Sequence, residues 1–561
     1  MNTQDLRAPI TNLYIGKIIE IDGTHIIAEL DDALTELART YNGNSYLVGQ
    51  FGSIIKIHFG QKILYAFVGR LRMKSEYEAE KGIAIANNKD ERIIEADLFG
   101  EGSWTFDKDK NWKLIFERGV STYPLPQQNI YLTPKSELAD IFENSSENVF
   151  HLGEHVGTGG TPCYADINEL IGKHTAILGS TGSGKSGTVA KIIHSLISYG
   201  SKKQIWKPRI IILDPHNEYS KAFPTGNRLT TDEGTLKLPY WLLSYMELVA
   251  LIIGKTEYAA TSQTNIIKNA MLYARQQACA IVGIDPNKIN IDSPTPYSLI
   301  VLINHIKADR DKLTPSKQDS HNSILQKIET LQNDTRLSFM MNEWSSKKDD
   351  FNEIVRQLIS IQQPTIIDLS GIPNEVAGIT SSVVARTLFS LKVWQTQLER
   401  EKDPIMLVCE EAHRYVPNRG EAQYEAAQEA IKRIAKEGRK YGIGMLLISQ
   451  RPGELEPTVL SQCNSWIVHR ITNDSDRENI KSFFPDSMSG LVKMLSGLRR
   501  REAIFVGQAA ILPSRILIGN LEQEQLPRSN DISFTEGWQN DNLSDDELNN
   551  LSKRWRYLLR E

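Results

Sequence analysis

The sequence predicts an α/β protein in three parts: a small N-terminal β-barrel, a mostly parallel sheet covered by helices, and a helical insertion within the sheet region. Three observations predict it. Short apolar runs punctuated by glycine fill the first 120 residues. From about residue 150, short apolar runs alternate with stretches of helical periodicity. One of those runs opens into a glycine-rich loop at 179–186 that leads directly into a helix.

The N-terminal part reads as β from 13–21, a tight turn at Asp22-Gly23, and a return at 25–30. Runs at 46–48, 53–58 and 64–68 follow, separated by Gly49, Gly52, Gly60 and Gly69. The barrel is expected over 1–120, with a linker over 121–150. The α/β core is expected in two pieces, 151–240 and 351–520. Its strands are read at 175–178, 209–213, 365–369, 405–409, 444–449 and 465–468. The polar, helix-favouring stretch 241–350 is too long for a loop and is read as the insertion. The tail, 521–561, carries a capping box at Ser544 and Glu547 ahead of an apolar stripe of Leu548, Leu551, Trp555 and Leu558.

With 561 residues, 40% apolar and 24% charged, the chain has the composition of a multidomain globular protein. A net charge of −5 gives no basic outer surface for nucleic acid, but leaves room for a basic channel inside an oligomer. Cys163, Cys279, Cys409 and Cys463 form no CxxC pair, which argues against a zinc or disulfide framework and for a reducing cytoplasm. The opening MNTQDLRAPI lacks a signal-peptide pattern. The most apolar window, 241–254, is short and holds Glu247, so no membrane span is expected.

Gly179-Ser180-Thr181-Gly182-Ser183-Gly184-Lys185-Ser186 satisfies GxxxxGK[ST], and Gly187 follows in the helix. Glycines allow backbone N–H groups to turn inward around phosphate. Lys185 supplies a point charge for the β and γ phosphates, and the Ser186 hydroxyl is a Mg²⁺ ligand. The bound species is therefore expected to be ATP with Mg²⁺. Such a site also needs acids at the end of a buried strand. Glu410-Glu411, after the run Ile405–Cys409, fill that need. Glu410 stands where Asp is usual and is assigned to Mg²⁺ through water; Glu411 is assigned to polarising the attacking water. Asp214 and Glu218 form a second acidic cluster after another apolar strand, read either as accessory acids or as a capped turn. Gln450, after 444–449, is a candidate γ-phosphate sensor. Arg433 and Arg439, in the preceding helix, are candidate arginine fingers.

The ordered runs His174 to Ser186, Asp214-Pro-His-Asn-Glu218-Tyr219, Glu410-Glu-Ala-His413-Arg-Tyr-Val-Pro417, Glu437-Gly-Arg-Lys-Tyr-Gly442, Ser449-Gln-Arg-Pro452, Leu460-Ser-Gln-Cys-Asn464 and Arg470-Ile-Thr-Asn473 resemble the HerA branch of the HerA/FtsK ATPases. They span about residues 150–520. The resemblance implies a RecA-like core, a barrel of the HerA–ATP synthase type, and a homo-hexameric ring that hydrolyses ATP to move double-stranded DNA. It places Glu411 as the Walker B acid, Gln450 as the polar sensor and Arg433 or Arg439 as the trans-acting finger. It also implies a partner, a NurA-like nuclease in DNA end processing or a sirtuin-type NADase or other effector in anti-phage defence, docking on the barrel. Arg414 and Arg419, after Glu411, and Arg228, after the Asp214 turn, are candidate pore-loop contacts to DNA phosphates. A different class remains open: an assembly platform whose ATP use controls an effector, distinguished by turnover indifferent to DNA. A secretion ATPase would want a membrane anchor, and no Asn-Lys-x-Asp motif points to GTP.

Overall fold

Alternation between buried and exposed positions, broken by glycine turns, makes most of the N-terminal strands one sheet that closes on itself, with one hairpin, 38–47, apart from it. In the computed structural model the strands are β1 (Tyr14–Asp22), β2 (His25–Leu30), β3 (Ala38–Tyr41), β4 (Asn44–Leu47), β5 (Ile54–Phe59), β6 (Lys62–Met73), β7 (Arg92–Phe106), β8 (Trp112–Arg118) and β9 (Asn129–Leu132). The structure describes residues 8–557 apart from 35, 83–90, 107–111, 144–145, 157–159, 200–205, 255–260, 361–362, 419–424, 485–488, 529–533 and 540–542. Strand order is β2-β1-β9-β5-β6-β7, and β7 pairs back onto β2 to close a six-stranded antiparallel barrel. On its edge away from β6, the 15-residue β7 serves two partners, with 93–97 on β2 and 100–106 on β8. Ile15, Ile26, Ile55, Leu64 and Ile94 fill the interior. The β1–β2 hairpin turns at Gly23, whose φ of +59° suits a residue without Cβ.

The stretch read as a linker is corrected here. β9 lies within 121–150 and completes the barrel between β1 and β5. It is four residues long and flanked by Pro124, Pro126 and Pro134, so it shows no readable period. The helix Lys135–Ile141 follows, and its Glu137 is buried against the barrel by Lys56 Nζ at 2.5 Å and Tyr65 Oη at 3.2 Å.

The later strands are β10 (Val149–His155), β11 (Pro162–Asp166), β12 (Thr175–Leu178), β13 (Arg209–Asp214), β14 (Asn227–Leu229), β15 (Thr365–Asp368), β16 (Ile405–Cys409), β17 (Ile443–Ser449), β18 (Ser465–His469), β19 (Glu502–Gly507) and β20 (Ser514–Ile518). The chain divides into two compact units. The first holds 1–170, 178–191 and 464–520; the second holds 171–177, 192–463 and 521–561. The first unit therefore contains the barrel, the phosphate loop and an antiparallel ladder in the order β11-β10-β20-β19-β18.

The second unit is built on β12-β17-β16-β13-β15-β14, with parallel pairing from β17 through β14. β15, β16 and β17 are buried along their whole length, which is why they read as continuous apolar runs. Between β14 and β15 lies the helical insertion, with helices such as Tyr245–Ile253, Thr261–Val282, Leu299–Arg310 and Asp319–Asn333. One helix among the described residues, Val376–Trp394, is long and apolar enough to cross a membrane. Its Lys392 is buried, and its Arg386 pairs with Glu247 of the insertion at 2.8 Å. The tail helix Asp545–Tyr557 begins at the expected Ser544–Glu547 capping box. Leu548, Leu551 and Trp555 stay exposed on it, and Leu558 lies outside the described residues.

Candidate nucleotide site

The phosphate loop belongs to the first unit. It leaves β12 and turns into the helix Lys185–Tyr199 at Lys185. Gly184 has φ +112°, and a Cβ there would lie 3.2 Å from the Arg501 backbone nitrogen. At Gly179 a Cβ would meet that of His469 at 2.7 Å. These two positions need glycine because other backbone passes close behind the loop. Ser183 Oγ donates to the Ser180 carbonyl at 2.6 Å, and the buried Lys185 Nζ donates to the same oxygen at 3.0 Å. Ser186 and Gly187 lie in the first helical turn, where backbone N–H groups have no partner in the helix itself.

The loop is held from behind by residues far along the chain. Ser180 N–H donates to the Arg470 carbonyl at 2.8 Å, and Arg501 N–H donates to the Ser183 carbonyl at 3.0 Å. His469 Nδ1 lies 3.0 Å from the Glu502 carbonyl, so it carries the proton and donates. Its Nε2 is then the acceptor for the Thr188 hydroxyl at 2.9 Å. Burial drives the His469 pKa down to about 4, with Lys185 nearby adding to the effect, so the ring is neutral near pH 7. Neither His469 nor Thr188 is marked by a motif. The only signal was a polar residue ending an apolar strand, the same signal that marked Glu410 and Gln450.

The acids belong to the second unit and sit at the C-terminal ends of its parallel strands. Asp214 ends β13 and pairs in register with Asp368 of β15. Its carboxylate accepts N–H bonds from His216 at 3.2 Å and Tyr219 at 2.9 Å, while burial raises its pKa to about 6. Glu410 follows β16 and is buried; its Oε2 accepts the Tyr219 hydroxyl at 2.7 Å. Burial pushes Glu410 up to about 8 against the pull of that bond, with Glu218, Glu411 and Asp214 adding negative charge. Glu411 has φ +51°, a strained value for a residue with a side chain. That turn brings its carboxylate to Gln450 Nε2, which donates to it, and to His413 Nδ1 at 3.3 Å. Among the described residues no three His, Cys, Asp or Glu side chains are grouped to hold a metal unaided. Among the described residues of this acidic edge, the buried Glu218 Oε2 and Glu411 Oε2 accept no hydrogen bond, the latter having only the ion-pair contact with His413.

Residues 150–388 match the model described as the central domain of the HerA helicase. The likeness to HerA lies in this central stretch. The chain is 28% identical over 416 residues to the probable helicase MJECL08 of Methanocaldococcus jannaschii, covering 71% of this chain and 75% of that one. It is 26% identical over 410 residues to the DNA double-strand break repair helicase HerA of Sulfurisphaera tokodaii, covering 71% and 74%. Among solved structures it is similar to VirB4 of Thermoanaerobacter pseudethanolicus, with TM-score 0.49 and 17% identity, over 68% of this chain and 99% of that one.

The two expected arginines differ in their surroundings. Arg433 lies over the Phe389 ring at 4.6 Å and 3.7 Å from Glu437. Arg439, in the same helix Glu425–Tyr441, is exposed, and its side chain has no hydrogen bond or ion pair among the described residues. Arg414 donates to His216 Nε2 at 3.0 Å, which joins the loops after β16 and β13. Arg228, a pore-loop candidate from the sequence, pairs with carboxylates, Asp368 at 2.9 Å and Glu233 at 2.8 Å. Arg419 lies outside the described residues. Glu218 contributes its backbone as well, accepting Arg528 N–H at 2.7 Å.

Proposed function

We propose that this chain is an ATP-driven translocase of double-stranded DNA that works as a homo-hexameric ring in the cytoplasm. The observation that carries the reading is the Glu411–Gln450 pair: a buried acid, turned by strained backbone at the end of one parallel strand, held by the amide that ends the next. The relatives named as helicases support the choice of DNA.

In this reading Lys185 and the N–H groups of 179–187 bind the β and γ phosphates. Ser186 and, through water, Glu410 hold Mg²⁺, an ion that keeps several waters and takes few protein ligands. When bound, the ion neutralises charge on the phosphates. Glu411 polarises the attacking water, and Gln450 fixes the orientation of its carboxylate. Asp214 and Glu218 shape the acidic edge beside them. Arg439, with its guanidinium unengaged, is the finger for a neighbouring copy; Arg433 is held by Phe389 and Glu437. Arg414 and Arg419 contact DNA phosphates. A NurA-like nuclease or another effector, such as a sirtuin-type NADase, docks on the barrel, in DNA end processing or anti-phage defence.

The test is ATP hydrolysis with and without linear duplex DNA at low salt, beside Glu411→Gln. A several-fold rise with DNA, together with a variant that binds nucleotide but does not turn over, is the expected result. Turnover indifferent to DNA would replace the motor with an ATP-regulated assembly platform. Full turnover by Glu411→Gln would reject the assignment of the water-polarising acid.

A further inference from the structure

Tyr219 is a fully buried side chain at the acidic edge, and the function proposed above gives it no task. Both of its donors are used on acids. Its N–H donates to Asp214 Oδ2 at 2.9 Å, and its hydroxyl donates to Glu410 Oε2 at 2.7 Å. One residue therefore ties together the carboxylates that end β13 and β16. The backbone there is fixed as well: Glu410 N–H donates to the Leu213 carbonyl at 3.3 Å, and Asn217, two residues before Tyr219, has φ +53°.

Glu410 has one more rotatable bond than the Asp usual at that position. An unrestrained Glu spreads its carboxylate over several rotamers, and selecting one costs conformational entropy. A buried hydroxyl pointing at one oxygen removes that freedom and leaves the second oxygen for another donor. Beside a bound cation Glu410 would be ionised, and a hydrogen bond to a charged acceptor is among the stronger ones in proteins.

We propose that Tyr219 is a positioning residue for the metal-binding acid: its hydroxyl holds Glu410 in the one rotamer that presents a carboxylate oxygen to nucleotide-bound Mg²⁺. The inference rests on the ATPase reading of Glu410 given above. Tyr219 touches neither nucleotide nor metal in this account and acts through Glu410 alone.

The experiment is a Mg²⁺ titration of ATP hydrolysis at saturating ATP for the wild type and Tyr219→Phe, with thermal melting of both. The substitution removes one oxygen and keeps the ring in its pocket. The expected result is a half-saturating Mg²⁺ concentration raised about tenfold or more, the worth of one lost bond to a charged group, while maximal turnover at high Mg²⁺ returns most of the way to wild type. A purely structural role would lower turnover at every Mg²⁺ concentration alike, and that result overturns the proposal, as does an unchanged midpoint. A second measurement keeps the question open to refutation if Tyr219→Phe melts early: the gain in fluorescent-ATP affinity on adding Mg²⁺, compared in Glu410→Gln and in Glu410→Gln with Tyr219→Phe. Tyr219 acting through Glu410 predicts the same gain in both; a further loss in the double variant rejects it. A wild type whose hydrolysis needs no Mg²⁺ rejects the metal assignment of Glu410, and this inference with it. A Mg²⁺-dependent wild type with an unmoved Tyr219→Phe midpoint rejects only the inference.

Discussion

Thr188 and His469 meet as a hydroxyl and a neutral imidazole, each buried and each the other's partner behind the phosphate loop. Deleting one side leaves a buried acceptor unsatisfied, which costs about 1–3 kcal/mol. Thr188→Val, nearly the same shape, is expected to weaken nucleotide binding and lower the melting temperature, and Thr188→Ser is expected to restore both. Titration with a fluorescent ATP analogue checks it, and unchanged affinity in the valine variant would remove His469 from the site. Residues of this kind resist sequence reading for a plain reason. Glu411 announces itself as an acid after an apolar run, and the glycine loop by its spacing. Thr188 and His469 stand 281 positions apart, and Tyr219 and Glu410 191 apart, so no local pattern connects them.

The strands of the parallel sheet were legible because burial on both faces makes them short, continuous apolar runs. The insertion was legible from its length and polarity. β9 and the helix after it were not, because four residues between prolines carry no period and the helix gains its place through a side-chain contact. That contact is the Lys56–Glu137 pair, in which both partners are buried. Breaking a buried pair by removing one partner costs about 3–5 kcal/mol, while replacing both by apolar groups is often close to neutral. Lys56→Met is therefore expected to destabilise the barrel strongly, and Lys56→Met with Glu137→Leu to recover most of the loss, apart from the bond that Tyr65 Oη gives up. Urea unfolding of the single and double variants decides it. Equal loss in both would mean that the helix is held by its apolar face alone.

Across the molecule, buried titratable groups pull stability in opposite directions with pH. Burial lowers His155, His174 and His469 to about 4, so the stability they confer is whole above about pH 6.5 and drains away as pH falls toward 4. Asp214 and Glu410 are raised, and each loses stability as pH climbs through its folded value, about 6 and about 8. The whole-protein profile mixes these, so a single site is the cleaner test. His155 packs flat against Phe142 at 3.8 Å, away from the acids in sequence and in a different unit. His155→Gln is expected to be less stable than wild type at pH 7.5, with the gap narrowing by about 2.5 kcal/mol by pH 4.5. Urea midpoints at both pH values measure it, and a constant gap would show that His155 titrates normally. What no reading of the sequence could supply at this scale is the partition of the chain, which sends 178–191 and 464–520 to the unit that holds the barrel. That partition has a consequence in time. The carbonyl of Arg470 and the N–H of Arg501 that hold the phosphate loop are made roughly 300 residues after it, and at about 5–20 residues per second the wait is roughly 15–60 s. For that interval the nascent chain has the glycine motif without the backing that shapes it. ATP capture on the ribosome would therefore mark a chain translated through Arg501.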